Sequence, residues 1–134
     1  RIERELAADR VSLWLHDERT GELWSKVARD GADASIEIRI PQDRGIAGRV
    51  FQSRQALNVA DAYQHPDFSA ESDERSGYRT RGVLCVPLFD SEEVFGVAQA
   101  LNRTDGAPFD ARDEVRLRQW MDSLHVAAGA ERVA

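Results

Sequence analysis

VLCVPLF at residues 83–89 and VFGVAQAL at residues 94–101 are near-continuous apolar runs joined by Asp90-Ser91-Glu92-Glu93. Apolar runs this short, bounded by turn residues, read as strands, and the lack of a hydrophilic face marks them as paired central strands covered on both sides. In the second run Gly96, Ala98 and Ala100 form one small-residue face on which helices can pack closely. Phe95, Val97, Gln99 and Leu101 form the other. Gln99 is thus a polar residue on an apolar face, and burying an amide without a partner costs about 1–3 kcal/mol. It needs a partner from the protein or from a ligand.

Working outward, Val11, Leu13 and Leu15 alternate with Ser12, Trp14 and His16, the period of a strand. Asp17 to Gly21 supplies a turn, Leu23 to Arg29 returns as a second strand, and Asp30-Gly31-Ala32-Asp33 turns into a third through Ile36, Ile38 and Ile40. Pro41 ends it, because proline cannot donate to a ladder. From Gly45 the spacing becomes Ile46, Ala47, Val50 and Phe51, the stripe of a short helix. Ala56 to Ala60 predicts a short strand. Asp61 to Arg79 is polar and irregular, the pattern of a binding loop or lid with short helices at most.

Downstream, Asp110 is a good N-cap for a last helix, with Asp113 and Glu114 in its first turn where the dipole favours negative charge. Leu117, Met121, Leu124 and Ala128 recur at close to heptad spacing. That stripe suits packing on the sheet, and part of it suits a coiled coil running toward a neighbouring domain. The expected order is an antiparallel sheet with helices on both faces.

A chain of 134 residues can bury one ordinary core, and residues 1–134 are read as one domain. With 31% charged residues and a formal net charge of -6 spread along the chain, no basic surface is offered to a nucleic-acid backbone. No apolar run is long enough to span a membrane and no secretion signal is visible, so no membrane partner and a cytoplasmic location are expected. Cys85 is the single cysteine, and His16, His65 and His125 share no ligand spacing, so neither a disulfide nor a metal site is expected. A charged, helix-compatible start and a helical finish read as a piece of a longer protein.

No nucleophile elbow, phosphate loop or His-Glu-x-x-His motif is present, and Cys85 between apolar neighbours reads as a core thiol. No enzymatic role and no cofactor are expected. Gly45-Ile46-Ala47-Gly48 at a helix start can hold an anion on free backbone N–H groups, although such a motif is more often only helix entry.

Several segments together resemble one family. Ile40-Pro41-x-x-x-Gly45-Ile46-Ala47-Gly48, Asn58-x-x-Asp61-Ala62-Tyr63-x-His65-Pro66-x-Phe68, Gly77-Tyr78-Arg79-Thr80-Arg81 and Gly96 to Arg103 are similar, in order and spacing, to the GAF domains of cyclic nucleotide phosphodiesterases and cyanobacterial adenylyl cyclases. The resemblance implies an α+β fold, an antiparallel sheet of about six strands with the N- and C-terminal helices on one face and short helices plus a lid over a ligand pocket on the other. Cyclic-nucleotide-binding members carry Asn-Lys, a spacer, Phe, three residues and Asp-Glu. Here this reads Asn102-Arg103, Phe109, Asp113-Glu114, with arginine in place of lysine. The resemblance makes these residues a structural clasp in which Arg103 pairs with Asp113 beneath the pocket.

The same resemblance puts a cyclic phosphate near Ile46 and Ala47, lid contacts at Phe68, Asp73, Ser76 and Thr80, and the purine near Ser12, Arg29, Asp30 and Gln99. Arg29, where relatives often carry an apolar residue, tilts the expectation from cyclic GMP toward cyclic AMP. The implied function is a regulatory sensor that passes ligand binding through its terminal helices, in a homodimer, to an output domain. The alternative is a sensory or dimerisation module of a bacterial signalling protein with another small ligand or none. GAF-type methionine sulfoxide reductases use several cysteines, which this chain lacks.

Overall fold

The structure, a computed structural model, describes residues 2–28 and 35–133, with side chains described over residues 2–25 and 37–123. Strands β1 (Ala8–Asp17), β2 (Glu22–Ala28), β3 (Ser35–Pro41), β4 (Leu57–Val59), β5 (Val83–Asp90) and β6 (Glu93–Arg103) form a six-stranded antiparallel sheet in the order β3-β2-β1-β6-β5-β4. Helices α1 (Ile2–Leu6), α2 (Gly45–Ser53), α3 (Glu71–Ser76) and α4 (Ala111–Val133) flank it, with a 3-10 turn at Ala62–Gln64.

The two apolar runs are β5 and β6, next to one another near the middle of the sheet. One face carries Leu84, Val86, Ala98 and Ala100 against Ile2 and Leu6 of α1 and Leu117 and Met121 of α4. The other carries Val83, Cys85 and Val97 against Ile46, Ala47 and Val50 of α2. Both faces are therefore sealed by apolar contact, which explains why neither strand has a hydrophilic side. Leu117 and Met121 pack on the sheet, whereas the side chains of Leu124 and Ala128 lie outside those described, so the coiled-coil expectation is left to sequence.

The expected alternation on β6 fails at Phe95. Leu88 pairs with Gly96 and Phe89 with Val94, so Phe95 is an extra residue on β6, and its ring packs with the α1 and α4 side. A bulge of this kind shifts the two-residue period by one, which local sequence alternation does not reveal. Gly96 also differs from expectation. A Cβ there would lie 2.3 Å from the Trp14 carbonyl oxygen, so the missing side chain admits the backbone of β1 and not a helix. Gly48 is explained similarly, because a Cβ would meet the Asp43 carbonyl carbon at 2.6 Å where α2 folds back on its leading loop.

Gly96→Ala forces the β1 and β6 backbones apart and is expected to cost about 1–3 kcal/mol, read as a lower urea midpoint. An unchanged midpoint would contradict this account of the Gly96 approach to β1.

Candidate functional site

The start of α2 has φ and ψ of -99° and 140° at Arg44 and no side-chain cap. The helix thus leaves N–H groups in its first turn without an internal acceptor. Ile46 and Ala47 are themselves buried in the core beneath, so what they offer outward is backbone. The segment after the 3-10 turn crosses this helix start. Ser69 Cβ is 3.9 Å from where a Cβ of Gly45 would lie, Arg44 reaches Glu71 at 3.3 Å, and Arg49 reaches Asp67 at 3.8 Å.

That segment, residues 66–80, is latched by one carboxylate. Asp73, 8% exposed, accepts the Tyr63 hydroxyl at 2.7 Å, the Thr80 N–H at 2.8 Å and the Thr80 hydroxyl at 2.8 Å. Burial alone pushes the Asp73 carboxyl up, but these hydrogen bonds outweigh it and hold the group below its ordinary value. The Tyr63 phenol is pushed up in return, chiefly because its proton is shared with that anion. The Tyr63 ring carries the Arg79 guanidinium 3.7 Å above its centroid and tilts against Phe68 at 4.9 Å. An acidic loop residue with no apolar neighbours in sequence is thereby the latch of the lid.

Asn102 fastens the other end of the lid. It adopts φ of 52°, a left-handed conformation that asparagine tolerates better than most residues. Its Oδ1 accepts the N–H groups of Arg81 at 2.6 Å and Gly82 at 3.1 Å. Its Nδ2 donates to the Arg79 carbonyl at 2.9 Å and the Tyr78 hydroxyl at 3.0 Å. The Tyr78 hydroxyl donates in turn to Asp9 at 2.6 Å, and burial with this contact pushes its phenol up to about 12.

Arg103 and Asp113 are ion-paired at 2.8 Å, and Arg103 holds Asp105 at the same distance through its second nitrogen. Asp113, 3% exposed, also accepts the Asp110 N–H at 2.9 Å while Asp110 accepts the Asp113 N–H at 3.0 Å, a reciprocal cap at the start of α4. Phe109 is buried beneath, and its carbonyl accepts the Asn58 amide at 2.7 Å. Glu114 stands apart from this group and pairs with Arg118 at 3.3 Å.

The remaining expected contacts are scattered. Ser12 and Gln99 face one another across β1 and β6, both half-buried, and neither side chain has a partner among the described residues. Phe68 packs at the edge of the core under α2, and Ser76 is exposed, donating to the Ser72 carbonyl at 2.9 Å. Arg29 and Asp30 lie outside the described residues. Sequence reasoning missed Tyr63 and Tyr78, whose partners are 10 and 69 residues away. Both stand in the segments that resemble the family, which is the signal that could have found them.

Away from this face, a cleft of about 560 Å³ lies among His16, Asp17, Trp24, Arg39, Asp90 and Phe95. Arg39 there joins Asp17, Glu22 and Glu37 in an exposed ion network of the kind that contributes little. Cys85 is fully buried, and burial pushes its thiol up, which suppresses the nucleophilic thiolate. Among the described residues no group of three or more His, Cys, Asp or Glu side chains is arranged to hold a metal ion, and no helix is long and apolar enough to cross a membrane.

A six-stranded antiparallel sheet sealed by terminal helices on one face, with α2 and the latched segment on the other, defines a small α+β module of one layered class. The family model of the GAF domain matches residues 1–127, and the chain belongs to the GAF family. It is 33% identical over 117 residues to a probable 3',5'-cyclic phosphodiesterase of Caenorhabditis elegans. The match covers 80% of this chain and 16% of that protein, so the chain spans about one sixth of its relative. The GAF domain of a phosphoenolpyruvate-protein phosphotransferase from Coxiella burnetii superposes with a TM-score of 0.79 at 20% identity, covering 98% of this chain and 78% of that one. A free methionine-R-sulfoxide reductase from Neisseria meningitidis, solved with its substrate, gives 0.64 at 26% identity, covering 88% and 65%.

Two outcomes follow from this geometry. Asn102→Gly keeps the left-handed backbone but strands the Arg81 and Gly82 N–H groups, and should cost about 2–3 kcal/mol in urea unfolding. Asp73 and Asp105 are held below their ordinary values, Asp105 at about 2, so their stabilisation is complete above the unfolded-state value and is lost as pH falls through the folded one. The urea midpoint should therefore fall below about pH 4, and Asp73→Asn should lower it at neutral pH and flatten that fall.

Proposed function

We propose that this GAF domain senses a cyclic nucleotide on the α2 face of the sheet, with the lid closing over it. The observation that carries the reading is the uncapped start of α2 lying directly against the latched lid. Backbone donors and the helix dipole there suit a single negative charge held without a basic side chain. The 33% identity to a probable cyclic phosphodiesterase supports the same ligand class. Ser12 and Gln99, facing each other and without side-chain partners among the described residues, are suited to the edge of a base. Arg29 favours cyclic AMP over cyclic GMP, and Asp30, next in sequence, is assigned to the same purine.

Ligand binding changes the order of the lid, and the change reaches α1 and α4 through Asp9, Tyr78 and the Asn102–Arg103–Asp113 chain. In this reading the terminal helices join two copies into a homodimer and drive a cytoplasmic output domain. The module requires no metal or cofactor and catalyses nothing.

A thermal melt decides the ligand class. Cyclic AMP at a thousandfold excess over a micromolar Kd adds about 4 kcal/mol of stability. Isothermal titration should rank cyclic AMP above cyclic GMP, and Thr80→Ala should weaken both. An unshifted melt with either nucleotide would turn the reading toward another small ligand, and tighter cyclic GMP binding would reverse the preference.

A further inference from the structure

Among the described residues, Trp14 Nε1 is the one buried side-chain polar atom without a hydrogen-bond partner. Trp14 is half-buried as a residue, yet its Nε1 is shut off from solvent. Such an orphan costs about 1–3 kcal/mol, and folded proteins pair nearly all their buried donors. This chain does so elsewhere with care, since Asn102 uses all its side-chain bonding capacity and Asp73 takes three donors.

The orphan stands on the ligand side of the sheet. Trp14 packs against the apolar cluster under α2, formed by residues such as Leu23, Ile46, Val50 and Val97, which offer no side-chain acceptor. It lies on the same face of β1 as Ser12, two residues away. Its partner across the ladder is Val97, two residues from Gln99. Ser12 and Gln99 also lack side-chain partners among the described residues. Three polar groups without partners among the described residues thus lie together on the α2 face at the centre of the sheet.

We propose that Trp14 Nε1 is a ligand-facing donor that meets an acceptor on the base of the bound nucleotide, making Trp14 a specificity-determining residue. The inference rests on the cyclic-nucleotide reading above and deepens it. An indole N–H only donates. Its counterpart must therefore be an unprotonated ring nitrogen or a carbonyl oxygen of the base, never an amino group. Gln99, able to donate and accept, serves the neighbouring positions of the same edge.

The test is a titration of nitrogen-15-labelled protein with cyclic AMP and, separately, cyclic GMP, observing the indole N–H resonances of Trp14, Trp24 and Trp120. Trp14→Phe identifies its resonance by deletion. Should that variant not fold, Trp24→Phe and Trp120→Phe identify it by elimination. The Trp14 indole proton is expected to move downfield on saturation while the other two stay nearly fixed. Trp14→Phe should weaken binding about fivefold or more, the loss expected for one buried hydrogen bond. A Trp14 resonance unmoved by bound nucleotide, as a trapped water would leave it, overturns the proposal, and so does wild-type affinity in Trp14→Phe. Failure of both nucleotides to bind the wild-type protein overturns the ligand reading itself and this inference with it.

Discussion

Asn102 is the joint on which the arrangement depends. Its left-handed backbone ends the regular part of β6, and its amide binds the lid exit through two acceptor and two donor contacts. No other uncharged side chain of similar size offers both functions while tolerating that conformation. The next residue, Arg103, hands the connection to the buried Asp113 and so to the cap of α4. Lid, central strand and terminal helix therefore meet within two consecutive residues.

Charge in this region is arranged economically. The chain is acidic overall, yet its buried carboxylates at Asp73 and Asp113 are each met by several donors. Low dielectric makes such contacts stronger when complete and costly when broken.

The main elements were legible because they depend on local period and punctuation. The central strands, the helix entering at Gly45 and the Asp110 cap each carry their signal within a few residues. Phe95 was misread because a bulge is set by the partner strand, which local alternation does not contain. The small-residue stripe suggests helix packing at Gly96, whereas the crowding atom is the Trp14 carbonyl oxygen. At the site, the pairing of Arg103 with Asp113 was anticipated through family resemblance. The Asp73 latch was not, because Tyr63 and Thr80 reach it through a fold that no short window encodes.

The register of β1 and β6 has a mechanical side. Ala8 pairs with Arg103 at the start of one strand and the end of the other, and the Thr104 N–H donates to the Ala7 carbonyl at 2.7 Å just beyond. Helices α1 and α4 thus join the same end of the same ladder. Tension applied between them would peel that ladder from the Ala7 and Thr104 contact inward, one rung at a time, and would not load all rungs together in shear. The two helices thus load this ladder at its weakest geometry, one hydrogen bond at a time from the Ala7 and Thr104 contact.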